Sequence, residues 1–207
     1  GVCTGYFLPG DSMKIYNTLS GQKEEFQPIG DTVTMYVCGV TPYDDSHLGH
    51  AMSAIIFDVV RRYLRFRGFK LKTVQNVTDV DDKIINRANR LGISPAELAR
   101  KYTERYDADM AALNVSPADF QPKATEEIPA MINVIQGLVE KGFAYPVNGS
   151  VYFRVKKVPD YGKLSRRKFE DMVIGAGTEP GEDKQDPLDF VLWKAARPGE
   201  PSWESPW

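Results

Sequence analysis

His47 and His50 are the only imidazoles in 207 residues, and Gly49 lies between them. Histidines three apart on the first turn of a helix project from one face, and the glycine lets a ligand approach the backbone closely. Imidazoles beside the free N–H groups of a helix start suit charge stabilisation at an anion, with phosphate the first candidate. The arrangement would serve a nucleotide triphosphate. Taken alone, H-x-x-H also fits surface histidines or hydrogen-bonded caps. Upstream, Cys38 is a single thiol, and one cysteine builds no tetrahedral zinc site, so by itself it reads as a small buried hydrophobe rather than a metal ligand. Asp79, Asp81 and Asp82 could be a magnesium cluster or an acid/base pair. Their spacing lacks the glycine and distal glutamate of an EF-hand loop, and carboxylates at a helix start are stabilised by the dipole by about 0.3–1 kcal/mol each.

The elements that must position these residues follow from periodicity. Val33-Thr34-Met35-Tyr36-Val37-Cys38 alternates and reads as a buried strand, and Ile55, Ile56, Val59, Val60, Tyr63 and Leu64 mark an amphipathic helix after it. Lys70 to Val77 alternates again, which predicts a strand–helix–strand unit with a parallel, right-handed crossover, hence an α/β, Rossmann-like parallel sheet. The histidines fall where strand gives way to helix, the place where open α/β sheets bind ligands. Residues 78–83 lead into a helix through about Leu91. Ser94-Pro95-Ala96-Glu97 is a capping box with proline at the first helical position, opening a helix to near Leu113.

Thr125 opens a further helix with an apolar stripe of Ile128, Met131, Ile132, Ile135, Leu138 and Val139, stopped by Gly142. Val147-Asn148-Gly149 predicts a hairpin between Phe143–Pro146 and Ser150–Val155. The run from Gly175 to Lys184 is rich in glycine and charge, with neither a strand leading in nor a G-K-[ST], so a mobile surface loop is expected rather than a phosphate loop. Leu188 to Lys194 reads as a buried strand. Trp193, Trp203 and Trp207 could stack on a base, but core or rim packing is the expectation.

A chain 42% apolar and 11% aromatic can bury a substantial core. Its net charge of −2 gives no whole-chain attraction to nucleic acid or anionic membrane. No apolar run approaches the roughly 20 residues a bilayer span needs, so a cytoplasmic location without membrane partners is expected. Residues 1–12 read as an appended leader outside the fold, and no disulfide is expected between its Cys3 and Cys38.

The segment M-Y-V-C-G-V-T-P-Y-D-D-S-H-L-G-H from Met35, followed by a helix and Q-N-V-T-D-V-D-D-K, closely resembles the start of the cysteinyl-tRNA synthetases, class I aminoacyl-tRNA synthetases with an H-I-G-H signature. Ile15–Leu19, Pro122-Lys123-Ala124-Thr125, Tyr161-Gly162-Lys163-Leu164-Ser165 and Asp189-Phe190-Val191-Leu192-Trp193-Lys194 extend the likeness from Lys14 to Trp207. The one departure within the signature, Leu48 for isoleucine, conserves volume.

The resemblance implies a class I synthetase (HUP-type) core formed by 13–116 and 188–207, with 117–187 as a connective-peptide insertion. It implies activation of L-cysteine with ATP and Mg2+ to cysteinyl-adenylate, then transfer to tRNA(Cys). His47, Gly49 and His50 would contact ATP, with the two histidines catalytic through charge stabilisation. Gly39 and Thr78 would bind cysteine, and Cys38 would be one of four zinc ligands. Zinc selects thiolate over hydroxyl where a neutral pocket would separate cysteine from serine by only about 1–3 kcal/mol. The W-H-x-E-C segment, the later histidine and glutamate, and the K-M-S-K-S loop of that family do not occur here, so the chain is expected to be part of a longer enzyme, with the zinc site incomplete and no aminoacylation by itself. Two other readings are a mycothiol ligase, which activates cysteine and transfers it to a glucosaminyl-inositol amine, and a non-catalytic nucleotide- or RNA-binding module.

Overall fold

A computed structural model of the chain describes residues 13–173 and 183–207. The expected leader with Cys3, and residues 175–182 of the expected loop, lie outside the described residues. Those described form two compact units, 26–127 and 13–25 with 128–207.

In the first unit, β3 (Thr32–Val40) and β4 (Lys70–Val77) pair in parallel, as the alternation predicts. The strand-forming residues Val33 and Val77 are buried. Residues 119–123 run along the other edge of β4: Phe120 donates its N–H to Thr73 O at 3.1 Å, Gln75 to Phe120 O at 3.0 Å and Val77 to Pro122 O at 2.9 Å. Thr73, almost fully buried, and Asp119 lock this register, with Asp119 Oδ2 accepting from Thr73 N and Oγ1, both at 2.7 Å. Among the described residues β3 is therefore an edge. It is not the buried strand its sequence suggests: of its nine residues only Val33 is buried, and Cys38 is exposed.

The crossover helix α1 (Leu48–Phe66) covers an unexpected face. Ala54, Asp58, Arg61 and Leu64 are buried, whereas Ile55, Ile56, Val59, Val60 and Tyr63 of the apolar stripe are exposed among the described residues. A polar hub explains the choice. Asp58 accepts from Arg61 at 3.1 Å, Arg62 at 2.5 Å and the Ser116 N–H at 3.2 Å, while Arg61 donates to Ser116 O at 2.6 Å. Burying a charge is tolerated only when it is paired and hydrogen-bonded; this network pairs Asp58 with Arg61 and engages both terminal nitrogens of Arg61, while its Nε is buried without a hydrogen-bond partner among the described residues.

Beyond β4, α2 (Asp82–Leu91) is capped by Asp81 and stops at Gly92, φ +67°. Ser94 caps α3 (Pro95–Ala112) by accepting from Glu97 N at 3.2 Å, with Pro95 at the first position, as the sequence predicts. The two helices bury Ile84, Ala88, Leu98, Ala99 and Tyr102 between them. Full burial stabilises by roughly 1.5–3 kcal/mol per large aliphatic side chain, so Ile84 and Leu98 anchor the pair.

In the second unit, β1 (Lys14–Asn17) and β2 (Gln22–Glu25) form a hairpin, and β5 (Ala144–Val147), β6 (Ser150–Phe153) and β7 (Phe190–Trp193) form an antiparallel sheet. The expected Asn-Gly hairpin is present, with Asn148 at φ 48° and Gly149 at φ 81° as a type I′ turn requires. α4 (Ile128–Glu140) begins three residues after Thr125, which sits in a 3-10 turn instead, and Gly142 at φ 74° ends the run. A short helix α5 (Phe169–Val173) completes the unit.

Within residues 188–207, β7 pairs with β6. The buried Asp189 carboxylate holds it there, accepting from Tyr145 Oη at 2.9 Å and Val155 N at 3.1 Å. This strand is not a buried one: Phe190 and Val191 are exposed, and Leu192 and Trp193 half-buried. Residues 117–127 belong with the first unit and 13–25 with the second. Trp193 packs on Trp207 with ring centroids 6.0 Å apart and the planes tilted by 58°, beside Ile135, Ala144 and Val151, which fits packing over base stacking.

Candidate functional site

The segment between β3 and α1 is tethered residue by residue. Tyr43 packs on the α2–α3 core, Asp44 pairs with Arg87 at 3.0 Å and Asp45 with Arg105 at 2.9 Å. Exposed pairs of this kind contribute roughly 0–1 kcal/mol each, so they orient the loop more than they stabilise it. The loop delivers His47 to the N-cap of α1 in extended conformation, φ −125°, ψ 171°.

There the two histidines complete a capping box. Gly49 N donates to His47 Nδ1 at 3.1 Å, and His47 N donates to His50 Nδ1 at 3.3 Å. The rings stack at 3.9 Å with 16° between planes. Because each Nδ1 accepts, each neutral ring carries its proton on Nε2, leaving two N–H donors beside the positive end of a helix. Burial, then the charge of His47, lowers the His50 pKa below its ordinary value, which favours that neutral form. Tyr106 of α3 meets His50 edge-on at 6.5 Å. Its phenol pKa is raised, chiefly by burial. At Gly49 a Cβ would meet the His47 ring at 2.9 Å, so glycine here makes room for the cap as well as for a ligand. Leu48 is 89% exposed, which makes its exchange for isoleucine immaterial to packing.

A second group forms at the ends of the strands. The register runs Val37↔Gln75 and then Val40↔Val77, so Cys38 and Gly39 form a bulge opposite Asn76 alone. Gly39 N donates to Asn76 Oδ1 at 2.8 Å, Asn76 Nδ2 to Thr78 Oγ1 at 3.1 Å, and Thr78 N to Val40 O at 3.0 Å. Gly39 and Thr78, 39 positions apart, are thus joined through Asn76, a residue that sequence reasoning did not single out. Its only signal was a polar side chain in the second-last place of a β-rich strand.

The second group lies at the carboxyl ends of the parallel strands and the histidine pair follows β3 in the chain, at the side of the sheet where open α/β folds take ligands. The acidic residues have structural work: Asp79 accepts from Thr125 N at 2.9 Å and Thr125 Oγ1 at 2.6 Å, and Asp81 caps α2 at 2.8 Å. No cluster of three His, Cys, Asp or Glu side chains suited to a metal occurs among the described residues. Cys38 is a free, exposed thiol whose Sγ lies 3.8 Å from Gly39 O. One thiol does not fit a four-coordinate zinc, so the described residues do not themselves make that site. No described helix is long and apolar enough to cross a membrane.

Residues 25–207 match the family described as tRNA synthetases class I (C) catalytic domain. The chain is 59% identical to a cysteine--tRNA ligase of Dehalococcoides mccartyi over 196 residues, 94% of this chain and 43% of that protein. It is 57% identical to the Aquifex aeolicus cysteine--tRNA ligase, over 95% of this chain and 40% of the relative, and 56% identical to that of Thermococcus kodakarensis, over 94% and 41%. The chain therefore spans less than half the length of these relatives. Among solved structures it is similar to Mycobacterium tuberculosis methionyl-tRNA synthetase bound by methionyl-adenylate, TM-score 0.52 at 22% identity, over 59% of this chain and 25% of that one. That likeness is one of fold, a Rossmann-like α/β architecture around a parallel sheet.

Proposed function

The chain belongs to the class I (C) tRNA synthetase catalytic-domain family, and from that premise we propose that it is part of a cytoplasmic cysteine--tRNA ligase. That enzyme would activate L-cysteine with ATP and Mg2+ and transfer the cysteinyl group to tRNA(Cys). The carrying observation is the capped histidine pair, whose two Nε2–H donors stand at the start of α1. A carboxylate oxygen of cysteine attacks the α-phosphorus, the bond to the bridging oxygen breaks, and pyrophosphate leaves with that electron pair. His47 and His50 bind the phosphate oxygens as charge shifts onto them, so the rate gain is electrostatic and needs no protein nucleophile. Gly49 admits the nucleotide to the backbone.

Gly39 and Thr78 line the amino-acid pocket. Since the Gly39 N–H is committed to Asn76, the backbone contact falls to its carbonyl. We assign Cys38 as one zinc ligand in the full-length enzyme, where zinc would supply thiol selection. The other ligands are not among the described residues, and no step above depends on the metal. The unit holding β5, β6 and β7 is our candidate for the connective-peptide insertion.

The test is ATP–pyrophosphate exchange by the full-length protein, surveyed over the amino acids. Exchange that needs L-cysteine, followed by charging of tRNA(Cys), is the expected result. Exchange driven by another amino acid, or transfer to a glucosaminyl-inositol instead of tRNA, would replace this reading.

A further inference from the structure

The bulge in β3 creates a hydrogen-bonding problem. Two residues, Cys38 and Gly39, oppose one, so the regular ladder leaves the Gly39 N–H without a backbone acceptor from β4. Asn76 fills that role with its side-chain oxygen at 2.8 Å, and the fit is close: a Cβ on Gly39 would lie 1.4 Å from Asn76 O and 3.1 Å from its Oδ1. With Oδ1 turned to Gly39, the Asn76 NH2 faces Thr78 Oγ1 at 3.1 Å.

That orientation has a consequence for Thr78. A hydroxyl that accepts from an amide keeps its own proton to give elsewhere. A carboxylate at 76 would still accept from Gly39 but could only accept from Thr78, turning the hydroxyl proton inward. A primary amide is the group that does both tasks, accepting from one neighbour and donating to the other.

We infer that Asn76 is a positioning residue of the amino-acid pocket: it clamps the Cys38–Gly39 bulge and sets Thr78 to donate its hydroxyl proton to an acceptor atom of the bound amino acid. This rests on the cysteine-activating reading proposed above. Asn76 touches no reacting atom. It acts through Thr78 and through the position of Cys38 and Gly39.

The test uses four variants of the full-length protein: Asn76→Asp, Asn76→Ala, Thr78→Val, and Asn76→Asp with Thr78→Val. Asn76→Asp should raise the KM for cysteine in pyrophosphate exchange about tenfold, the equivalent of one lost hydrogen bond, with the KM for ATP unchanged. In the Thr78→Val background the same change should add less than about twofold, because residues acting through one contact are not additive. Full multiplicative effects, or an equal rise in both KM values, would overturn the inference.

Amide hydrogen exchange at Gly39 gives a readout independent of activity. Protection should persist in Asn76→Asp and fall at least about tenfold in Asn76→Ala, and equal protection in both would overturn the clamp. If the unmodified protein shows no cysteine-dependent exchange, the functional reading fails, and the Gly39 amide still decides whether Asn76 holds the bulge.

Discussion

The imidazoles of His47 and His50 stack 3.9 Å apart, and each uses Nδ1 to accept a backbone N–H of the same helix start. The cap and the candidate catalytic donors are therefore two ends of the same rings. Substitutions can separate them. His47→Asn retains a side chain that caps well, so thermal stability should stay near that of the parent. His47→Ala should lose about 1 kcal/mol. Both remove Nε2–H, so both should slow cysteine-dependent pyrophosphate exchange by about 10²-fold or more. Thermal unfolding and exchange kinetics on the same two variants check the separation.

Acid should weaken the fold through His50. Its pKa is lowered in the folded state by burial and by His47, from an ordinary 6.5. The unfolded chain then binds the proton more readily, so stability is level above about pH 6.5 and falls as pH drops below it. His50→Gln should flatten that part of the curve. Urea midpoints measured from pH 7.5 to 5 would show it, and an unchanged slope in His50→Gln would remove His50 as the cause.

Gly39→Ala should be far more damaging than Gly49→Ala. At Gly39 the new methyl would sit 1.4 Å from the backbone oxygen of Asn76, so β3 and β4 must part. Overpacking of this kind costs about 1–3 kcal/mol and here also displaces Cys38. At Gly49 the obstruction is the His47 ring at 2.9 Å, which can rotate away at the expense of the cap. Denaturant midpoints should rank the parent first, Gly49→Ala second and Gly39→Ala last.

Asp58→Ala should destabilise residues 26–127 by about 3–5 kcal/mol, because it strands the buried Arg61 without its carboxylate. That is a large part of a typical stability of about 5–15 kcal/mol. Val59→Ala, one position on and exposed, should cost under about 0.5 kcal/mol. Urea titration of both variants makes the comparison.

Much of the candidate site was legible because it is local. His47, Gly49 and His50 form a cap within four consecutive residues, and Asp81, Ser94-Pro95 and Asn148-Gly149 act over similarly short spans. The pairing that joins Gly39 to Thr78 was not legible as geometry. It runs through Asn76, whose identity announces nothing until a bulge 37 residues earlier is set against it.

By itself the sequence determined the longer helices, the two parallel strands, the Asn-Gly hairpin and the family likeness, since periodicity, capping and glycine conformation are short-range effects, whereas the β1–β2 hairpin and α5 carried no such signal. Tertiary structure alone decided which surfaces are covered. The apolar stripe of α1 reads as a core face, yet the buried face is the one carrying Asp58 and Arg61, because the backbone at Ser116 and Pro117 supplies hydrogen bonds to both charges. The alternation at 33–38 reads as buried, yet among the described residues β3 is an edge with Cys38 exposed. The strand at 190–193 joins β6 because Asp189 finds Tyr145 and Val155 there. Hydrophobic pattern states which side of an element prefers cover; the partners that provide it come from distant parts of the chain, and only the folded structure brings them into contact.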